Sequence, residues 1–174
     1  MKRWLEALLW TSIAVGGCAH QVFPPDVVDG VDHSFDFVRW RSAPRQTEPV
    51  KIQLGGRIVD THTIGGTVTI VAAELAVVRY PAYGPKEGKS KGNFVITYRG
   101  DIKAPFLHPG NRIMVVGMAS GTRLVTVDDV MRTLPSVEAR CVHIWKTGNT
   151  DISESLSSGS GYPVLEEETF CAPD

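Results

Sequence analysis

No stretch of this chain approaches the roughly 20 consecutive apolar residues that a membrane-spanning helix requires. The most apolar segment near the start, residues 7–15, is about half that length, so it is too short to cross a bilayer. Other absences narrow the chemistry. There is no Gly-x-Ser-x-Gly element, and nothing orders a Ser, a His and an Asp into a triad, so acyl transfer has no foothold. There is no His-x-x-x-His pair either: His20, His33, His62 and His108 are scattered. Cys141 and His143 fall on one strand face, but no further ligand is spaced to complete a zinc site around them. No catalytic residue, metal or cofactor is expected, and an enzyme is the weakest class. Basic residues are missing beyond Lys146, where six acidic residues stand alone.

What the chain does have begins with a leader. Lys2 and Arg3 precede the apolar segment, and Val15-Gly16-Gly17-Cys18 ends it. A basic start, a short apolar run and small residues before a cleavage point make a secretory signal. Small residues ahead of cysteine read more narrowly as a bacterial lipoprotein processing site, with Val15, Gly16 and Gly17 as its lipobox. Cleavage would leave Cys18 first in the mature chain, its thiol and freed amine carrying acyl chains. One acyl chain binds a membrane only marginally, whereas two or more anchor it stably. The alternative is an ordinary secretory signal. Ala19 after the cysteine, rather than aspartate, points to the outer membrane.

Charge is near balance overall, at −1, yet unevenly placed. Residues 51–146 hold 13 Lys and Arg against 7 Asp and Glu, a net of +6. Such a field favours anionic partners, lipopolysaccharide or glycan among them, unless it is simply a solvated surface. Composition divides the chain into a signal peptide (1–17), a lipidated cysteine with a flexible tether (18–50), a β-rich domain (51–147) and an acidic Ser/Gly-rich tail (148–174). Within the tether, Asp32 or Ser34 as N-cap suggests a short helix at 34–41. The tail has too few large apolar residues to order itself and is expected to be disordered.

The β-rich domain predicts strands at 51–60, 67–80, 93–99, 112–118, 124–127 and 137–145. Gly55-Gly56 would interrupt the first as a bulge or bend, and Gly65-Gly66 would turn into the second. Ile113-Met114-Val115-Val116 is apolar on both faces and needs cover on both. Five or six strands in about 95 residues make a small closed or partly open barrel more economical than a seven-stranded sandwich. The expected class is all-β.

The order and spacing of several blocks then suggest a family. They are Gly55-Gly56-Arg57-Ile58-Val59, Leu75-Ala76-Val77-Val78-Arg79-Tyr80-Pro81, Gly92-Asn93-Phe94, Phe106-Leu107-His108-Pro109, Gly110-Asn111-Arg112-Ile113-Met114-Val115-Val116-Gly117, and the run from Pro135 to Trp145. Together with the lipobox they resemble the Slp family of outer-membrane lipoproteins. His108 stands where that family usually has aspartate, and Leu134-Pro135 replaces its usual aromatics. The resemblance implies a small OB-like barrel, lipid-anchored and facing the periplasm. It implies no enzymatic activity and supplies no catalytic residues. The expected role is a structural or interaction module of the envelope, with envelope proteins, lipopolysaccharide or glycan as partners besides the membrane. The alternative is a small-ligand or anionic-glycan binding protein that uses the basic barrel face.

Two further readings concern sites. With Cys18 lipidated, Cys141 and Cys171 are an even pair in an exported protein and a candidate disulfide. The alternative leaves Cys141 in the core and Cys171 free. The segment Gly84-Pro85-Lys86-Glu87-Gly88-Lys89-Ser90-Lys91-Gly92 superficially matches a phosphate loop, but strand residues rather than a helix follow it. It reads as a solvated connection. If the barrel binds a ligand, this loop and the turn at Gly65 form the lips of the site. Tyr80, Tyr83, Lys86, Lys89, Lys91, Phe94 and Tyr98 are then the candidate surface, the aromatics otherwise being core. Nucleic acid is disfavoured by the envelope address.

Overall fold

A computed structural model describes residues 22–44, 48–78, 84–86, 88–148 and 165–173. Six strands form one sheet: β1 (Lys51–Ile64), β2 (Thr67–Leu75), β3 (Asn93–Arg99), β4 (Arg112–Val127), β5 (Val130–Trp145) and β6 (Glu167–Cys171). Their order is β3-β2-β1-β4-β5-β6, and β3 also pairs with β5. That extra pairing, parallel from Val95↔Ser136 to Tyr98↔Ala139, closes β1, β2, β3, β5 and β4 into a ring. Beyond residue 140, β5 leaves β3 and pairs with β6 instead.

Local chemistry accounts for most of these elements. Gly65 and Gly66 both have positive φ, 56° and 74°, which a two-residue hairpin turn of matching twist requires. Asp128 and Asp129, at φ 50° and 62°, take the same role between β4 and β5, aspartate being among the few side chains that tolerate this region. Alternation carries the core. Ile52, Leu54, Ile58, Val68, Ile70, Phe94, Ile96, Ile113, Val115, Val142 and Ile144 belong to one buried cluster. At the Gly110-Asn111 corner, the Asn111 amide donates to the carbonyls of Pro105 (3.2 Å) and Phe106 (3.0 Å), while its oxygen accepts from Gly148 N–H (2.9 Å). Those bonds tie a 3-10 turn, Ala104–Leu107, to the entry of β4 and the exit of β5.

A second buried cluster holds Met114, Val116, Cys141 and Trp145 together with Phe23, Val27 and Val31. These β4 and β5 residues alternate with those of the first cluster, so the N-terminal segment covers the other face of the two strands. This answers the need of the doubly apolar strand for cover on both sides. It also corrects the expectation of a flexible tether: from residue 22 onward the segment packs, because its aromatic and branched side chains each gain roughly 1.5–3 kcal/mol on burial. The segment holds two short helices, α1 (Pro25–Val28) and α2 (Phe37–Ser42). The cap of α2 is Asp36, whose carboxylate accepts from the N–H groups of Val38 and Arg39. Asp32 instead closes a turn on Ser34, accepting from its N–H (2.8 Å) and its hydroxyl (2.6 Å). That hydroxyl, then the N–H, holds the Asp32 carboxyl below its ordinary pKa.

Three strand expectations also change. Gly55 and Gly56 pair in register, and the irregularity lies between Ile58 and Asp60. A Cβ at Gly55 would sit 2.7 Å from Pro85 Cβ and 2.8 Å from the Leu75 carbonyl, so the glycine serves close approach rather than a bulge. The expected strands 112–118 and 124–127 are one strand, and β5 begins at Val130, not 137. In the acidic tail, Glu167–Cys171 is a strand paired with β5, which overturns disorder for that part. Residues 149–164 lie outside the described residues.

Candidate functional site

Because the core takes Phe94, Ile96 and Tyr98 from β3, strand alternation turns Thr97 and Arg99 to the opposite face. Register extends that face sideways. Thr69 pairs with Thr97, Thr97 with Glu138, and Glu138 with Met118. One row thus crosses β2, β3, β5 and β4. Thr67 pairs with Arg99 in the next row, and Arg140 follows at the point where the β4–β5 register shifts. Ile64 at the end of β1, Arg123 on the projecting part of β4 and Ala172 beyond β6 complete a groove of about 610 Å³.

Charge in this groove is one-sided: three arginines, Arg99, Arg123 and Arg140, against one carboxylate, Glu138, a net of +2. Arg140 Nη1 donates to the Ala172 carbonyl at 2.6 Å, which fixes that guanidinium at one end. Among the described residues, Arg99, Arg123 and Glu138 have no ion pair or side-chain hydrogen bond. Thr97 is 8% exposed, and its hydroxyl has no hydrogen-bond partner among the described residues. Ile64 and Met118 are exposed apolar side chains at the rim. Beneath the face, burial, then the Asp101 carboxylate, pushes the Tyr98 phenol above its ordinary pKa, with Arg140 opposing.

The candidate surface drawn from sequence lies elsewhere. Lys86, Lys89 and Lys91 are exposed. Lys86 is held by its backbone to Ala76 (2.9 Å), and Lys91 lines a separate cavity between residues 31–37 and the end of β2. Phe94 and Tyr98 are corrected: at 0% and 2% exposure they are core and offer no stacking face. Tyr80 and Tyr83 lie outside the described residues, as do Val15, Gly16, Gly17 and Cys18. Cys141 and Cys171 are bonded, with S–S 2.01 Å and Cα–Cα 4.1 Å. His143 beside them is buried, its Nδ1 2.6 Å from Thr169 Oγ1 and its ring against Trp145.

Sequence reasoning missed Thr97, Arg99, Arg123, Glu138 and Arg140. Alternation along 93–99 carried the signal for the first two. The others depend on the β3–β5 pairing, which brings together segments about 40 residues apart and leaves no local trace.

A family model described as the outer membrane lipoprotein Slp family matches residues 15–168, a span that includes Cys18. The chain belongs to that family. Among curated relatives, an uncharacterized protein of Haemophilus influenzae is 28% identical over 150 residues, covering 82% of this chain and 78% of its own. Membership makes the protein an outer membrane lipoprotein of the Slp type, and the Slp-like blocks take on structural meaning. Gly110-Asn111 is the hydrogen-bonded corner that enters β4, and Gly55-Gly56 is the site of close approach beneath Pro85.

Proposed function

We propose that this Slp-family protein is a non-catalytic interaction module, anchored through acylated Cys18 and facing the periplasm, whose strand ring works as an OB-like barrel. The observation that carries this reading is the open groove on the β2–β3 face, flanked by the β1–β2 turn and the β4–β5 arm. OB barrels use that face and those two connections to hold ligands. The groove's described lining offers guanidinium, hydroxyl, carboxylate and thioether groups, a set suited to holding a polar ligand by hydrogen bonds and charge.

Photocrosslinking in the native envelope tests both halves. A photoreactive residue in place of Met118, inside the groove, is expected to give defined adducts in the membrane fraction, and one in place of exposed Val38 is not. Cys18→Ser is expected to move the protein to the soluble fraction. Membrane retention of the fully processed variant, or the same adduct pattern from both positions, would overturn the proposal.

A further inference from the structure

We infer that the groove binds an anionic saccharide, a sugar chain bearing carboxylate or phosphate groups. This rests on the OB-like reading above and gives that reading a ligand class. OB barrels take oligonucleotides or oligosaccharides at this face, and the groove's own chemistry separates the two. Single-stranded nucleic acid is held largely by aromatic side chains on which bases stack. Among the described residues the lining here is Ile64, three threonines, three arginines, Met118, Glu138 and two alanines, with no aromatic residue. A charged sugar chain can be held by hydrogen bonds and charge alone, which this lining supplies.

The threonine row Thr67, Thr69 and Thr97 and the unpaired Glu138 carboxylate present the donors and acceptors that sugar hydroxyls require. Thr97 adds a second argument. Its hydroxyl is more than nine-tenths buried with no partner, and a buried polar group left unpaired is costly unless something completes it. The arginines define the charge. Arg99 and Arg123 have no carboxylate partner among the described residues, and planar guanidinium groups match carboxylate and phosphate bidentately. Arg140, tied at one end to Ala172, stands beside them. Ile64 and Met118 at the rim suit the apolar face of a sugar ring.

Carboxylate and phosphate sugars share this chemistry, and titration calorimetry on the full chain in detergent separates them. The probes are an oligogalacturonate for the carboxylate arm and an acyl-free glucosamine disaccharide bisphosphate for the phosphate arm. An uncharged N-acetylglucosamine oligomer and inorganic phosphate are the controls. At least one charged saccharide is expected to bind, with affinity falling as salt rises from about 50 to about 500 mM, and both controls more weakly. Arg99→Ala with Arg123→Ala should lose about tenfold or more in affinity, as expected for charge-assisted hydrogen bonds. Their melting temperature should not move, because neither side chain is paired among the described residues. Thr97→Val should lose affinity for the same probe, whereas Lys86→Ala, Lys89→Ala and Lys91→Ala together should not. No saccharide binding, equal binding of the uncharged oligomer, or an equal loss in the lysine variant would overturn the inference. Fractionating the same variants tells whether anchoring stands when saccharide binding fails.

Discussion

Tyr98 shows how a single position couples core and groove. Its ring fills the ring's interior, while its ionisation responds to Asp101 and to the groove's Arg140. The folded phenol has a raised pKa, so the unfolded chain loses this proton first as pH climbs past about 10. Stability contributed by the neutral phenol is therefore fully present below that pH and drains away as pH rises through the higher folded value. Thermal melts between about pH 9 and about pH 11 should show wild type losing stability more steeply than Tyr98→Phe. Parallel curves would contradict the assignment. The signal for its inward placement was present in sequence, since Phe94, Ile96 and Tyr98 alternate, although the residue stood among the candidate surface positions. Its electrostatic neighbours were not, because both come from cross-strand and loop geometry.

Among the elements, β6 depends most on one bond. Five residues are a short strand, and this one opens with two glutamates, Glu167 and Glu168, in an acidic tail that local propensity would leave unordered. Several long-range contacts fasten it: the Cys141–Cys171 disulfide, the ion pair of Glu168 with Lys103 at 2.7 Å, and Phe170 edge-on to Phe106 at 5.5 Å. The disulfide closes a loop between residues 30 apart, worth about 3–4 kcal/mol on the chain-entropy account. Cys171→Ser leaves Cys141 as a small buried apolar group and should lower unfolding free energy by about that amount. Denaturant unfolding with and without reductant measures it: reductant should bring wild type down to the variant and leave the variant unmoved. An unshifted midpoint in the variant would show that the other contacts hold β6 without the bond. Strands whose ends are marked locally, such as β3 between Gly92 and Gly100, were placed correctly from sequence. The β4–β5 arm was expected as three separate strands, and Gly121, Asp128-Asp129 and Pro135 lie in the gaps between them. In the fold they occupy register irregularities and a turn that a long hairpin accommodates.

At the scale of the whole molecule, the packed N-terminal segment changes what the lipid anchor does. A flexible tether of some 30 residues would let the ring roam on the order of 30 Å from the membrane. Here the chain is fastened by Val22, whose carbonyl accepts from Thr169 Oγ1 at 3.1 Å, and Phe23 beside it is 2% exposed. Only three residues, Ala19, His20 and Gln21, separate Val22 from Cys18, and the four Cα–Cα steps reach at most about 14 Å. With Cys18 acylated as proposed, the face of β4 and β5 that the N-terminal segment covers is held against the bilayer. The groove on the β2–β3 face is then presented at a set height rather than sampled freely. Replacing exposed Asp26 with a fluorescent residue and adding lipid-bound quenchers tests this. The native chain should be strongly quenched. A Gly/Ser insert of about 20 residues between His20 and Gln21 should relieve the quenching by extending the reach several-fold, while membrane fractionation stays unchanged. Equal quenching with and without the insert would mean that contacts other than the tether hold the domain at the surface. Weak quenching in both would mean that the fastened segment does not face the lipid at all. The short tether thus makes orientation, and not attachment alone, the measurable consequence of Cys18.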